Sequence, residues 1–205
     1  MTDVRPARPE DAAELVRLRR VMFQAMTGED RPGPWEDVSE RLLLDGLFTP
    51  DGAGRFGAFV VDAEAGAEPG THAGAACDGT GGGGSAGDGR SAGGAVRLAA
   101  CAVATVEQRL TSPGGAAGLF GFVFNVCTDP DYRGRGYARA VTAALLDWLT
   151  ARGVTRVDLH ATPQAEGLYR SMGFTEHPVA LSLELPGATG PEDGMWGESG
   201  PGSPG

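Results

Sequence analysis

Residues 126–149, VCTDPDYRGRGYARAVTAALLDWL, restrict the fold more than any other part of this sequence. An apolar, strand-like run ends at Asp129-Pro130. A turn follows in which Arg133 and Arg135 alternate with Gly134 and Gly136, and helical periodicity begins at once. A strand that feeds a helix through so short a turn calls for a layered arrangement, with the helix packed on a sheet. It also has a chemical consequence. The first N–H groups of a helix have no intrahelical partner and stand at the positive end of its dipole, so a glycine-rich entry makes an anion site suited to phosphate. Gly134 and Gly136 permit close approach to the backbone, and Arg133 and Arg135 add charge. For the turn taken alone, a solvated loop with outward arginines is the alternative.

The remaining elements fit around this unit. DVRPA reads as a short strand, and Pro9-Glu10-Asp11 makes a good helix start, with proline early and acids at the positive dipole end. Leu15, Leu18, Met22 and Met26 follow at helical spacing. A second helix is expected over about Trp35 to Leu47, carrying Val38, Leu42 and Leu43. Strands are expected at RFGAFVVDA, AVRLAACAVATVE and AGLFGFVFNVCT, the last two joined as an antiparallel hairpin through Gly114-Gly115. The helix after the turn runs to about Ala151 and buries Val141, Leu145, Trp148 and Leu149 before Gly153 stops it. VTRVDLHA is a strand, PQAEGLYRSMGF a short helix, and PVALSLEL a last strand. The order predicts one domain over residues 1–185, a mixed α/β (α+β) sheet with helices packed on it.

Two segments lack the apolar side chains to form a core. Residues 64–95 hold twelve of the chain's 34 glycines, and ordering glycine costs more entropy than burial there can offset. This insert and the acidic Gly/Pro-rich tail at 186–205 are therefore expected to be disordered; Met195 and Trp196 are the tail's only large apolar residues. A net charge of −10 argues against a nucleic-acid partner, which needs a basic surface. No apolar run reaches the roughly 18 residues that cross a bilayer, and the N-terminus MTDVRPARPEDAAE has no signal-peptide core. Cys77, Cys101 and Cys127 have no metal-ligand spacing and read as reduced thiols of a cytoplasmic protein. All 17 basic residues are arginine, which reads as the codon bias of a GC-rich bacterial genome.

Which phosphate ligand fits the turn? A P-loop needs a Gly-Lys-Ser/Thr ending, and the chain has no lysine. A dinucleotide fingerprint would place Arg139 where a small residue must pack, although Asp158 stands near the expected acid. The pattern Arg133-x-x-Gly136-x-Ala138 resembles motif A of the GNAT superfamily of N-acetyltransferases. Val126-Cys127-Thr128-Asp129-Pro130 before it resembles the family's fourth strand and proline turn. Ala165-Glu166-Gly167-Leu168-Tyr169-Arg170-Ser171-Met172-Gly173-Phe174 resembles its motif B. The resemblance covers residues 2–185, is strong from 119 to 175, and departs from the family at the 64–95 insert and the tail.

The resemblance implies a GNAT-like, mostly antiparallel sheet with helices on both faces and a splay between strands 4 and 5 that admits acetyl-CoA. It implies a pyrophosphate cradle from the backbone of Arg133, Gly134, Arg135, Gly136, Tyr137 and Ala138. The backbones of Val126 and Thr128 would flank the pantetheine arm, and an N–H near Val126 or Cys127 would polarise the thioester carbonyl. Tyr169 would be the general acid that protonates the leaving thiolate; a core tyrosine is the alternative. The family's fourth-strand carboxylate is missing, and only Asn125 stands there, to orient the acceptor or a water. His160, with a suitable intrinsic pKa, would be the base or a substrate contact, or a histidine that bonds the splayed strands. His72 and His177 receive no role. Cys127 reads as a packing residue rather than an acyl carrier. Met22, Phe23, Met26 and Trp35 would wall the acceptor pocket, with Glu29, Asp30, Glu36 and Asp37 able to attract a cationic amine.

The activity so implied is acetyl transfer, without a metal, to a primary amine of a small molecule by direct attack in a ternary complex, the enzyme being a monomer or homodimer. A protein N-terminus or lysine is the second acceptor class. A non-catalytic acyl-CoA-binding module is a third reading.

Overall fold

Helix α1 (Ala12–Thr27) starts after a single 3-10 turn at Pro9–Asp11 and ends at Gly28, whose φ of 78° lets its N–H return to Gln24 O at 2.8 Å. The computed structural model describes residues 2–48, 54–63, 96–110 and 118–176. Over these, α1 and α2 (Trp35–Leu47) precede strands β2 (Phe56–Asp62), β3 (Leu98–Gln108) and β4 (Leu119–Thr128), with β1 (Arg5–Pro6) at the start of the chain. Helix α3 (Tyr137–Ala151), β5 (Arg156–Leu159) and α4 (Pro163–Arg170) follow. The glycine-rich segment 64–95 with Cys77 and His72, the Gly114-Gly115 turn, His177, the strand expected at 178–185 and the tail 186–205 lie outside the described residues.

The described strands form one sheet in the order β1-β2-β3-β4-β5, antiparallel except for the parallel β4–β5 pair. Long β3 is apolar on both faces because both are covered. On one side, Leu15, Leu18 and Val16 of α1 pack with Val60, Cys101, Val103 and Cys127. On the other, Val141, Leu145 and Leu149 of α3 pack with Ala100, Ala102, Ala104 and Val123. Trp148 packs over the sheet at Gly57, where an added Cβ would come within 2.7 Å of the indole. Gly153, at φ 76°, ends α3.

Helix α2 divides its apolar residues between core and surface. Its bounds fall where expected, but Val38 and Leu42 are 52% and 63% exposed, and Leu43 is the buried position. Gly46 explains the division: a Cβ there would meet the Phe56 ring at 2.8 Å, so the helix presses its Leu43, Gly46 and Leu47 side to the sheet.

Two irregularities shape β4. Cys101 pairs with Cys127 and Val103 with Phe124, so two steps along β3 face three along β4. The extra residue makes a bulge, and Asn125 takes φ 53°, the one positive φ outside glycine among the described residues. On its other edge β4 pairs with β5 only from Phe120 to Val123. From Phe124 to Thr128 that edge has no strand partner among the described residues, which is the expected splay.

Candidate active site

The end of β4 is anchored by a buried carboxylate. Asp129 is 2% exposed and accepts hydrogen bonds from Arg17 Nη1 (2.7 Å), Arg97 Nη2 (3.0 Å) and its neighbour Asp131 N–H (3.2 Å). Burial acts to raise its pKa, but the arginine and backbone hydrogen bonds outweigh it and hold the carboxyl below its usual value. Arg17 also bonds Glu14, and Glu14 accepts from Leu98 N–H at 2.9 Å. This network joins α1, β3 and the start of the turn.

From that anchor the chain passes through a 3-10 turn at Pro130–Tyr132, with Tyr132 buried, and reaches Gly134 and Gly136 at φ 77° and 80°. A Cβ on either glycine would meet nothing within 4 Å. Glycine is needed there for its backbone conformation, and the space in front belongs to no protein atom. The first helical bond of α3 runs from Ala140 N–H to Gly136 O at 3.1 Å, and no side chain caps the helix. The N–H groups of residues 137–139 are thus left without helical partners. Thr128 Oγ1, buried beside them, has no hydrogen-bond partner. Together with Arg133, Gly134, Tyr137, Ala138 and Leu168, Thr128 lines a cavity of about 280 Å³.

The arginines divide differently from the sequence expectation. Arg133 is exposed at the cavity, and its Nε donates to Thr128 O at 3.4 Å. Arg135 lies with its guanidinium 5.1 Å from the Tyr132 ring centre and is not part of the lining. Arg139, whose bulk counted against a dinucleotide site, lines the cavity instead and donates to Ser171 Oγ. Its place on the first turn of α3 was the available signal. Val126 packs toward the α3 core, whereas Cys127 turns into the α1 core, where burial pushes its thiol up to about 11.

A larger cavity of about 560 Å³ lies beyond α4 and brings together Phe122, His160, Tyr169 and Phe174. Tyr169 is 7% exposed, with its ring edge-on to Phe174 at 5.7 Å, and burial alone raises its phenol pKa. His160 is exposed and meets Phe122 edge-on at 5.5 Å. Adjacent residues of α4, Leu168 and Tyr169, therefore face the two cavities respectively. Asn125 joins neither lining. Its Nδ2 lies 3.7 Å from Cys101 Sγ on the α1 side of the sheet, and its Oδ1 has no partner. Phe23 and Trp35 meet edge-on at 5.6 Å, Met22 and Trp35 pack against the α1-side core, and Met26 is 47% exposed. Of the acids expected to draw a cation there, Glu29 pairs with Arg31, and Asp30 and Glu36 pair with Arg20.

Residues 84–174 match the family model described as Acetyltransferase (GNAT) family. The chain is 33% identical over 87 residues to glucosamine 6-phosphate N-acetyltransferase 1 of Oryza sativa subsp. japonica, which covers 42% of this chain and 51% of that protein. It is 36% identical over 76 residues to the [ribosomal protein bS18]-alanine N-acetyltransferase of Escherichia coli K12, covering 36% and 51%. The chain thus spans about half the length of these curated relatives. In fold it is similar to a predicted acetyltransferase with acetyl-CoA from Clostridium acetobutylicum, at a TM-score of 0.65 and 17% identity over 90% of this chain and 97% of that one. A GCN5-related N-acetyltransferase from Ralstonia eutropha JMP134 gives 0.63 and 19% over 90% and 99%. Residues 84–174 are thus similar to the GNAT acetyltransferase family, and the chain shares the fold of those neighbours.

Proposed function

We propose that the chain is an acetyl-CoA-dependent N-acetyltransferase acting on a primary amine of a small molecule by direct attack in a ternary complex. The observation that carries this reading is the cavity between Thr128 and Arg139, where positive-φ glycines, free helix N–H groups and an unpartnered hydroxyl meet beside the open edge of β4. These groups suit a pyrophosphate attached to an extended arm. Bound acetyl-CoA would supply an activated acetyl thioester.

The backbone of residues 133–138 and the side chains of Arg133 and Arg139 would hold the pyrophosphate. Val126 and Thr128 on the open edge of β4 would align the arm as a neighbouring strand would. The bulge turns the local N–H groups out of the regular ladder, so one near Val126 or Cys127 is free to steady negative charge on the carbonyl oxygen. Tyr169, kept protonated by burial, would donate a proton to the departing sulfur. His160, exposed in the same cavity, would take the proton of the attacking ammonium, directly or through water. Among the described residues no helix is long and apolar enough to cross a membrane, and the free thiols of Cys101 and Cys127 fit a reducing, cytoplasmic setting.

Calorimetric titration with acetyl-CoA, for the wild type beside an Arg133→Ala, Gly136→Asp double variant, tests the cradle. Saturable one-site binding that the folded variant loses is the expected result. Absence of binding to folded wild type would remove the assignment. CoA-thiol release over an amine panel then separates an enzyme, which shows amine-dependent release, from a binding module, which does not.

A further inference from the structure

Three arginines follow one another closely in α1, and their surroundings differ. Arg17 is paired with Glu14 and Asp129, and Arg20 with Asp30 and Glu36. Arg19 has no carboxylate partner among the described residues. Its guanidinium rests 4.8 Å from the Phe23 ring centre. Yet Arg19 occupies the inward stripe of the helix: Leu15 and Val16, one turn earlier, are 0% and 6% exposed, and Met22 and Phe23, one turn later, are half-buried. Arg19 is itself half-buried, so its charge is partly desolvated with no counter-ion to offset the loss. Burial accordingly lowers its pKa, with the nearby Cys101 thiol acting in the opposite sense.

The sheet opposite holds a buried polar group with an unsatisfied oxygen. Asn125 is 6% exposed, its amide nitrogen faces Cys101 Sγ, and its Oδ1 accepts from nothing. Cys101 is thus the common neighbour of a cation without an anion and an acceptor without a donor. Both lie on the α1 face of the sheet, next to the residues expected to wall the acceptor pocket. Three of the four acids expected to make this end attractive to a cation, Glu29, Asp30 and Glu36, are paired with Arg31 or Arg20.

We propose that Arg19 is a specificity residue of the acceptor site and binds an anionic group, a carboxylate or phosphate, on the amine that is acetylated. The proposal rests on the acetyltransferase reading and names its substrate class. The Phe23 ring holds the guanidinium plane in place, leaving its edge for a bidentate hydrogen-bonded pair with the anion.

The test uses matched amines: α-amino acids against their amides, and amino-sugar phosphates against the free amino sugars. CoA-thiol release is measured with the wild type, Arg19→Met and Arg19→Lys, each first shown to be folded by circular dichroism. The wild type should prefer the anionic member of at least one pair. Arg19→Met should raise KM for that amine roughly ten- to a hundredfold, leaving KM for acetyl-CoA and for the neutral member within about twofold. Arg19→Lys should recover part of the loss. The carboxylate and phosphate pairs separate the two kinds of anion. A wild type indifferent to the anion, or an Arg19→Met variant that keeps the preference, overturns the assignment of Arg19 and leaves the acetyltransferase reading intact. A wild type that binds acetyl-CoA but acetylates no amine overturns that reading, and the assignment with it.

Discussion

The phenol of Tyr169 gains no hydrogen bond among the described residues, and burial raises its pKa above the ordinary tyrosine value. For a general acid both facts point the same way: the proton stays on oxygen across the neutral range, and the hydroxyl remains available to a departing sulfur. Tyr169→Phe should lower kcat by roughly tenfold to a hundredfold or more with acetyl-CoA affinity nearly unchanged, because the ring still packs on Phe174. The pH dependence follows in sign. The acid form is lost as pH rises through the raised pKa, so a basic limb in kcat attributable to Tyr169 should lie above about 10 and be missing in the variant. Unaltered turnover in Tyr169→Phe would leave Tyr169 a core residue. Its position was legible in the sequence because it follows a motif of fixed spacing. Arg19 is the contrasting case: nothing in the sequence sets it apart from Arg17 and Arg20, and only the structure shows it resting on Phe23 while its neighbours pair with carboxylates.

Elements meet at Asp129. The carboxylate binds α1 through Arg17, the entry of β3 through Arg97, and the turn through Asp131 N–H, so the start of the glycine turn is positioned by a part of the chain more than a hundred residues away. Asp129→Asn keeps the shape and removes the charge. A loss of about 1–2 kcal/mol at pH 7 is expected, reduced from the buried-pair limit because both arginines reach solvent. The folded pKa is depressed, so this contribution is complete above the unfolded value of about 3.9 and fades as pH falls through the folded one. Denaturation of wild type and variant should therefore differ at pH 7 and converge toward pH 2. A difference that persists in acid would place the effect in packing. Element boundaries were readable here because proline, glycine and apolar period agree. What escaped was how elements press together. Val38, Leu42 and Leu43 are alike in composition, but with Gly46 against Phe56 only Leu43 is buried. The bulge at Asn125 was hidden because FGFVFNVCT is apolar enough to pass for a regular strand.

At the scale of the whole molecule, two cores on opposite faces of one sheet carry the fold, and both are assembled from residues on either side of the 64–95 segment. The ends of that segment meet: β2 and β3 are antiparallel neighbours, and Ala63 N–H donates to Arg97 O at 2.8 Å. A chain that leaves and returns to paired positions needs only a short turn to close. Removing residues 66–93 should leave the β2–β3 ladder, the cradle and acetyl-CoA affinity as they are. The shorter loop has less closure entropy to lose, so stability should be unchanged or raised by up to about 1.5 kcal/mol, since each doubling of loop length costs only about 0.6 kcal/mol. Urea denaturation and an acetyl-CoA titration of the shortened protein check both parts. Lower stability would mean that residues 66–93 pack on the domain. Intact stability with weakened binding would mean that they reach bound acetyl-CoA.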